Sequence, residues 1–450
     1  MNQISVAAVL FASAALAQST ADAPVERPAV LQLSLRKAIE IALEPDGNAR
    51  VQLAEEAIKQ SEAQQREARA ALLPNIDGYF QGENFTNNLQ AFGISIPRIP
   101  LLDFTLPSVV GPLNNYDARV TGTQSLFDLS AILRYRAARV SAAAVKSDRQ
   151  TTRNQTADQV SHAYLAAVRA DAAVEAAEAD VRLSEELVRL AENQKAAGTG
   201  TGIEVTRQQV QLANDRQHLQ ESRNDRDVTH LQLLRVMGIH LETPFQLTDA
   251  LKFAPVAEVD AASAVATAKK QRAELIAQHQ HEHAAHLNYD SAKAERLPSL
   301  TAFANYGAIG IRLSDDLPTR TYGATLRIPI YNGGLRDAQR AESASEFRAE
   351  RIRTADLEQQ IELEVRQAID SLHSAAAEVE AAEDGLRLSQ DELAHAERRY
   401  QSGFTNSIEV TDAQTRLVRA RDNRVTALYN YNVARIDLGT ATGDVSSYLP

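Results

Sequence analysis

Glu409 and Asp412 stand three residues apart in a stretch rich in helix formers, which puts both carboxylates on one helical face. Such a pair attracts cations and repels anions, and copies facing one another raise each other's pKa. A solvated helix face accounts equally well for the spacing. A second cluster, "HQHEHAAH", sets His279, Glu282, His283 and His286 at i, i+3, i+4 and i+7, where imidazoles can bind zinc or copper. Ala285 occupies the place where the zinc-protease signature HExxH needs its second histidine, so a polar outward helix face is the plainer reading. "GTGTG" (Gly198 to Gly202) is no phosphate loop, because no strand precedes it and no GK[ST] follows. No Ser-His-Asp set stands in a catalytic context, and the chain has no cysteine to serve as nucleophile, zinc ligand or disulfide. The expectation is a non-enzyme with no cofactor.

The elements that position these residues are read from composition and repeats. The 450 residues carry a formal net charge of -12, which argues against a nucleic-acid partner. "ISVAAVLFASAALA" (Ile4 to Ala17) is an apolar run ending in a small-x-small cleavage signal, so residues 1–17 are expected to be a signal peptide. Beyond it no apolar run approaches the roughly 18 residues a membrane helix needs.

"GTGTGIEVT" (Gly198 to Thr206) recurs as "GFTNSIEVT" (Gly403 to Thr411), and its flanks recur with it. That pattern marks an internal duplication. Proline is absent between Pro112 and Pro244 and again between Pro329 and Pro450. Each copy therefore reads as long helix, glycine turn, long helix. The stretch from Phe127 to Gly198 would run on the order of 105 Å at 1.5 Å per residue, a length that requires bundle packing. Val410, Ala413, Leu417, Ala420, Ala427, Tyr431, Ala434 and Leu438 form a heptad seam broken at Arg424. Gly198 and Gly403 supply the sharp reversals, with Thr206 and Thr411 near the new helix starts.

Four segments have period two instead: about 75–85, 116–127, 299–311 and 321–331. Each is apolar on one face and long enough for an outer-membrane barrel. Four strands cannot close a barrel, and open edges are not tolerated in lipid, so chains must pool their strands. The expected division is a linker over 18–32, a first repeat over 33–238, a connector over 239–260, a second repeat over 261–443 and a tail over 444–450. An apolar, proline-rich loop over 86–115 belongs to the first copy alone.

The order and double occurrence of "RAALLPNIDGYF", "ERLPSLTAF", "LRIPIYNGGLR" and "YQSGFTNSIEVTDAQTRL" resemble the TolC-type outer-membrane efflux and secretion channel family. The resemblance implies a mixed α/β membrane channel: a homotrimer with a 12-stranded β-barrel continuous with a 12-helix α-barrel. It implies a periplasmic adaptor protein and an inner-membrane pump as partners, the pump of RND rather than ABC type, and an outer-membrane location. The function implied is an exit duct of a tripartite efflux pump, with type I protein secretion as the alternative. A periplasmic coiled-coil scaffold that never enters lipid is the competing class. By the same resemblance Glu409 and Asp412 would narrow the tunnel mouth, Tyr400 and Glu204 would latch neighbouring hairpins, and the tips would meet the adaptor. Thr405 stands where some relatives carry an arginine, a charge that Arg207 or Arg399 would have to supply.

Overall fold

The computed structural model describes residues 30–45, 47–93, 108–312, 314–402, 404–405 and 407–443. The expected signal peptide, most of the linker, the middle of the apolar loop, Gly403 and the tail lie outside these residues. Two hairpins of very long helices dominate the chain. In the first, α3 (Leu129–Ala196) is followed by α4 (Gly202–Met237); in the second, α7 (Leu335–Gln401) is followed by α8 (Ser407–Thr442). The 68 residues of α3 run about 100 Å at the standard rise. Every heptad position named above, from Val410 to Leu438, is buried, while Arg424 leaves the seam to pair with Glu383 at 3.1 Å.

Shorter elements precede each hairpin. Around the first are β1 (Leu31–Leu33), α1 (Leu35–Ala42) and α2 (Ala49–Ala70), then β2 (Asn75–Asn88) and β3 (Val109–Phe127). Around the second are β4 (Phe245–Leu247), α5 (Ala261–Gln271) and α6 (Ala273–Ala294), then β5 (Ser299–Gly310) and β6 (Leu317–Arg327). β1 and β4 pair in parallel, so β1 crosses the expected boundary between linker and first repeat and ties both to the connector. Around this pair lies an apolar core containing Leu33, Leu35, Tyr164, Leu233, Met237 and Ile436. The Tyr164 hydroxyl lies 2.9 Å from both the Leu33 carbonyl oxygen and Asp249 Oδ2, which satisfies its buried polar end. A second core joins α5, α6, α7 and α8 through Leu275, Ile361, Val365, Leu372, Tyr431 and Leu438.

The four long strands make one antiparallel sheet in the order β2-β3-β5-β6, so the copies meet where β3 pairs with β5. Ile76, Phe80, Val120, Tyr306, Tyr322 and Leu326 all lie on one face by register, and all are exposed. The opposite face is polar: Arg119 pairs with Asp117 at 3.1 Å and donates to Asn305 at 3.1 Å. Strand limits differ from the sequence expectation. β2 and β3 run further into the presumed loop, because a bulge opposite Thr86 absorbs Gly111 and Pro112, the usual way proline enters a paired strand. β6 starts at Leu317 and stops at Arg327 instead of running from 321 to 331, and Pro329, which has no N–H for the ladder, follows directly.

The two strand-to-helix junctions differ in length and in chemistry. Asp128 caps α3 by accepting from Ala131 N at 3.0 Å, whereas Gly334 opens α7 in the left-handed region at φ 85. Gly238, which ends α4 at φ 79, is more constrained still, since a Cβ there would fall 2.6 Å from Gly47 O. Gly198 at φ 75 has nothing within 4 Å of such a Cβ. We therefore expect Gly198→Ala to cost about 1–2 kcal/mol from backbone strain alone. Gly238→Ala adds overpacking of a further 1–3 kcal/mol or so. Thermal melts of the two variants check this ordering, and equal losses would contradict it.

Candidate functional site

The repeated IEVT segments are the first turns of α4 and α8, and each residue type has a local task. Val205 and Val410 are buried between helices. Thr206 and Thr411 bond back to the carbonyls of Gly202 and Ser407 at 3.2 and 2.9 Å, so neither caps its helix. The capping residue of α4 is Thr201: Glu204 reaches back to accept from Thr201 N at 2.7 Å and Thr201 Oγ1 at 3.1 Å. Glu409, its counterpart in α8, accepts from Thr405 Oγ1 and lies 3.4 Å from Arg399 Nε. Of Arg207 and Arg399, it is Arg399 that reaches Glu409, across the turn of its own hairpin. Asp412 is exposed and forms no ion pair among the described residues.

The expected Tyr400–Glu204 bond is absent. Glu204 is committed to Thr201, and the buried Tyr400 hydroxyl has no hydrogen-bond partner among the described residues. Burial pushes the phenol's pKa up; the nearby Glu204 charge adds to this and Arg207 opposes it. The two hairpins are instead tied at their tips by Arg207 Nη1 donating to Ser407 Oγ at 2.7 Å and Gln208 Nε2 donating to Thr411 Oγ1 at 3.0 Å. Further along, Gln414 bonds Ser184, which bonds Asp215, and Gln211 Nε2 donates to Asp215 Oδ1 at 2.9 Å. Arg421 then pairs with Asp180, a carboxylate buried to 4% exposure. Between the hairpins there is therefore a buried polar seam. Beside it, Leu187, Leu393, Ala396, Val410 and Leu417 form an apolar cluster.

Only part of this seam can be found in the sequence. Asp180 sits at a core position of α3, between Ala177 and Ser184, so a charge interrupting the apolar period was the available signal. Its partner on α8, 241 residues away, carries no such mark. The histidine run of α6 does not gather into a ligand set. His279, His283 and His286 are exposed, and Glu282 accepts from Thr354 Oγ1 at 2.7 Å across to α7. His281, on a different side of the helix, pairs with Asp148 of α3 at 3.0 Å. Among the described residues the one group with metal-ligand proximity is Asp158, His162 and Asp437.

A duplicated helical hairpin running into a sheet with one apolar exposed face defines a class, the subunit of an outer-membrane channel. The chain belongs to the outer membrane efflux protein family, whose model matches residues 41–239 and 264–444. It is 25% identical over 311 residues to the pyoverdine export outer membrane protein OpmQ of Pseudomonas putida, a match covering 68% of this chain and 63% of that protein. It is 23% identical over 384 residues to the outer membrane efflux protein BepC of Brucella suis, covering 84% and 79%. The fold is that of the Campylobacter jejuni CmeC outer membrane channel, with a TM-score of 0.77 at 16% identity over 91% of this chain and 85% of that one.

Burial raises the Asp180 pKa, and the adjacent Arg421 only partly offsets this. A carboxyl whose folded pKa lies above its unfolded value weakens the fold at neutral pH, and the loss is relieved as pH falls through the folded pKa. Arg421→Ala removes the compensating charge and is expected to destabilise by about 3–5 kcal/mol near pH 7. The penalty should shrink on acidification and be largely absent in Arg421→Ala with Asp180→Asn. Melting curves of both variants at pH 7 and pH 5 check this.

Proposed function

We propose that three copies of the chain pool their strands into a 12-stranded barrel and their helices into a 12-helix tunnel, forming the passive exit duct of a tripartite efflux pump. In this reading a periplasmic adaptor docks at the helical tips and an inner-membrane pump of RND type loads the duct. The observation that carries the proposal is the four-stranded sheet whose outer strands, β2 and β6, are paired on one side only among the described residues. That sheet leads into α3 across Asp128 alone and into α7 across residues 328–334, helices of 68 and 67 residues. Lipid would leave the free strand edges unsatisfied, whereas neighbouring copies pair them. The apolar face through Ile76, Phe80, Tyr306 and Tyr322 then meets hydrocarbon and the face with Arg119 and Asp117 meets water.

The tips form the gate. Asp412 supplies the free negative charge at the mouth, and Glu409, neutralised by Arg399, supplies less. The polar seam holds the hairpins together when closed. Buried atoms without partners among the described residues, Tyr400 Oη, Gln208 Oε1 and Gln414 Oε1, leave that closed state short of full satisfaction. Each costs about 1–3 kcal/mol of desolvation that exposure to water recovers. An adaptor that binds the separated tips more tightly shifts the balance toward opening.

Purified protein in a planar bilayer tests the reading. The expected result is a trimeric, cation-preferring pore blocked by divalent ions. Asp412→Ala should lower the cation preference several-fold, Glu409→Ala less so, and Arg399→Ala should raise it by freeing the Glu409 carboxylate. A monomeric protein that forms no pore overturns the duct. A pore with unchanged preference in all three variants overturns the gate assignment alone.

A further inference from the structure

One cluster of titratable side chains has no part in the gate. Asp158 and His162 stand four apart on α3, hence on one face, and Asp437 reaches them from α8. His162 Nε2 lies 2.9 Å from Asp437 Oδ1 and 3.6 Å from Asp158 Oδ1, and one donor atom from each residue falls within 4.8 Å of the others. We propose that these three side chains bind a divalent transition-metal ion of the zinc type, which staples the long helix of the first repeat to the last helix of the second.

The geometry suits such an ion. Zinc bonds to nitrogen and carboxylate oxygen are about 2.0–2.2 Å long, which places tetrahedral ligand atoms about 3.4 Å apart. The two separations from His162, 2.9 and 3.6 Å, bracket that value and the third is within 4.8 Å, so small side-chain shifts close the site around an ion. Three protein ligands leave the fourth position to water. One imidazole with two carboxylates favours zinc-like ions, because magnesium and calcium prefer oxygen ligands alone and more of them. Thr440 Oγ1 donates to Asp158 Oδ1 at 2.8 Å, which orients that carboxylate before any ion arrives. The side chains are 26%, 36% and 43% exposed for Asp158, His162 and Asp437, so an ion from solution can reach them.

Calorimetric titration of the purified full-length protein in detergent with zinc, with magnesium as the control, tests the site. The expected result is one zinc per chain, no magnesium response, and a tetrahedral visible spectrum with cobalt. His162→Gln and Asp437→Asn should each weaken zinc binding at least tenfold. A variant with His279, His283 and His286 all changed to Gln should bind as the parent does. If His162→Gln fails to fold, Asp437→Asn carries the comparison. No zinc binding by the parent, unchanged affinity in the Asp437 variant, or loss of binding only in the triple variant would each overturn the proposal. None of these readouts depends on pore formation, so they stand apart from the test of the duct.

Discussion

A row of backbone amides and carbonyls facing hydrocarbon is the constraint on which the architecture turns. β2 and β6 span 14 and 11 residues, and each presents one unpaired edge among the described residues. In lipid every such group costs several kcal/mol, far more than any side-chain contact on the sheet returns. The edges must therefore be paired by strand beyond the four described in one chain. Closure then dictates much else. Only Asp128 separates β3 from α3, so the helix inherits its place around the cylinder from the strand that feeds it.

Duplication supplies the right number of parts, and divergence then fits each part to its neighbours. The two IEVT turns keep one backbone plan but assign their glutamates differently: Glu204 closes a capping box, and Glu409 neutralises Arg399. The strand-to-helix junctions diverge in the same manner, with a side-chain cap at Asp128 and a left-handed glycine at Gly334. Such exchanges are possible because a helix start requires only that its free N–H groups be satisfied or its backbone be turned, and either route suffices.

Features set by local periodicity were legible in the sequence. The long helices, the glycine turn at Gly198, the heptad positions from Val410 to Leu438 and the one-sided apolar strands all follow from spacing within a few dozen residues. The ends of the hairpins were less legible, because a bulge at Gly111 and Pro112 lets a proline remain within paired strand. The tip contacts were least legible. Tyr400 and Glu204 are close enough for charge to act between them, yet Thr201 takes the carboxylate first, and local capping of this kind is fast to form and hard to outcompete. Arg207 with Ser407, and Asp180 with Arg421, join residues 200 and 241 positions apart, so no local pattern links them.

The placement of polar and apolar packing along the rods has a mechanical consequence. Near β1 and β4 the hairpins share a core built on Leu33, Tyr164, Met237 and Ile436, where separation would expose hydrocarbon at about 25 cal/mol for each Å². Toward the tips the shared surface sets Asp180–Arg421, Ser184–Asp215–Gln414 and Gln208–Thr411 beside an apolar cluster of Leu187, Leu393 and Leu417. Polar groups drawn apart there regain water, which returns much of the desolvation lost on closure. An apolar contact of equal area recovers nothing when it opens. The polar part of the tip contact is thus the part that water can replace on separation, whereas the packing of Leu187 against Leu393 and Leu417 resists it.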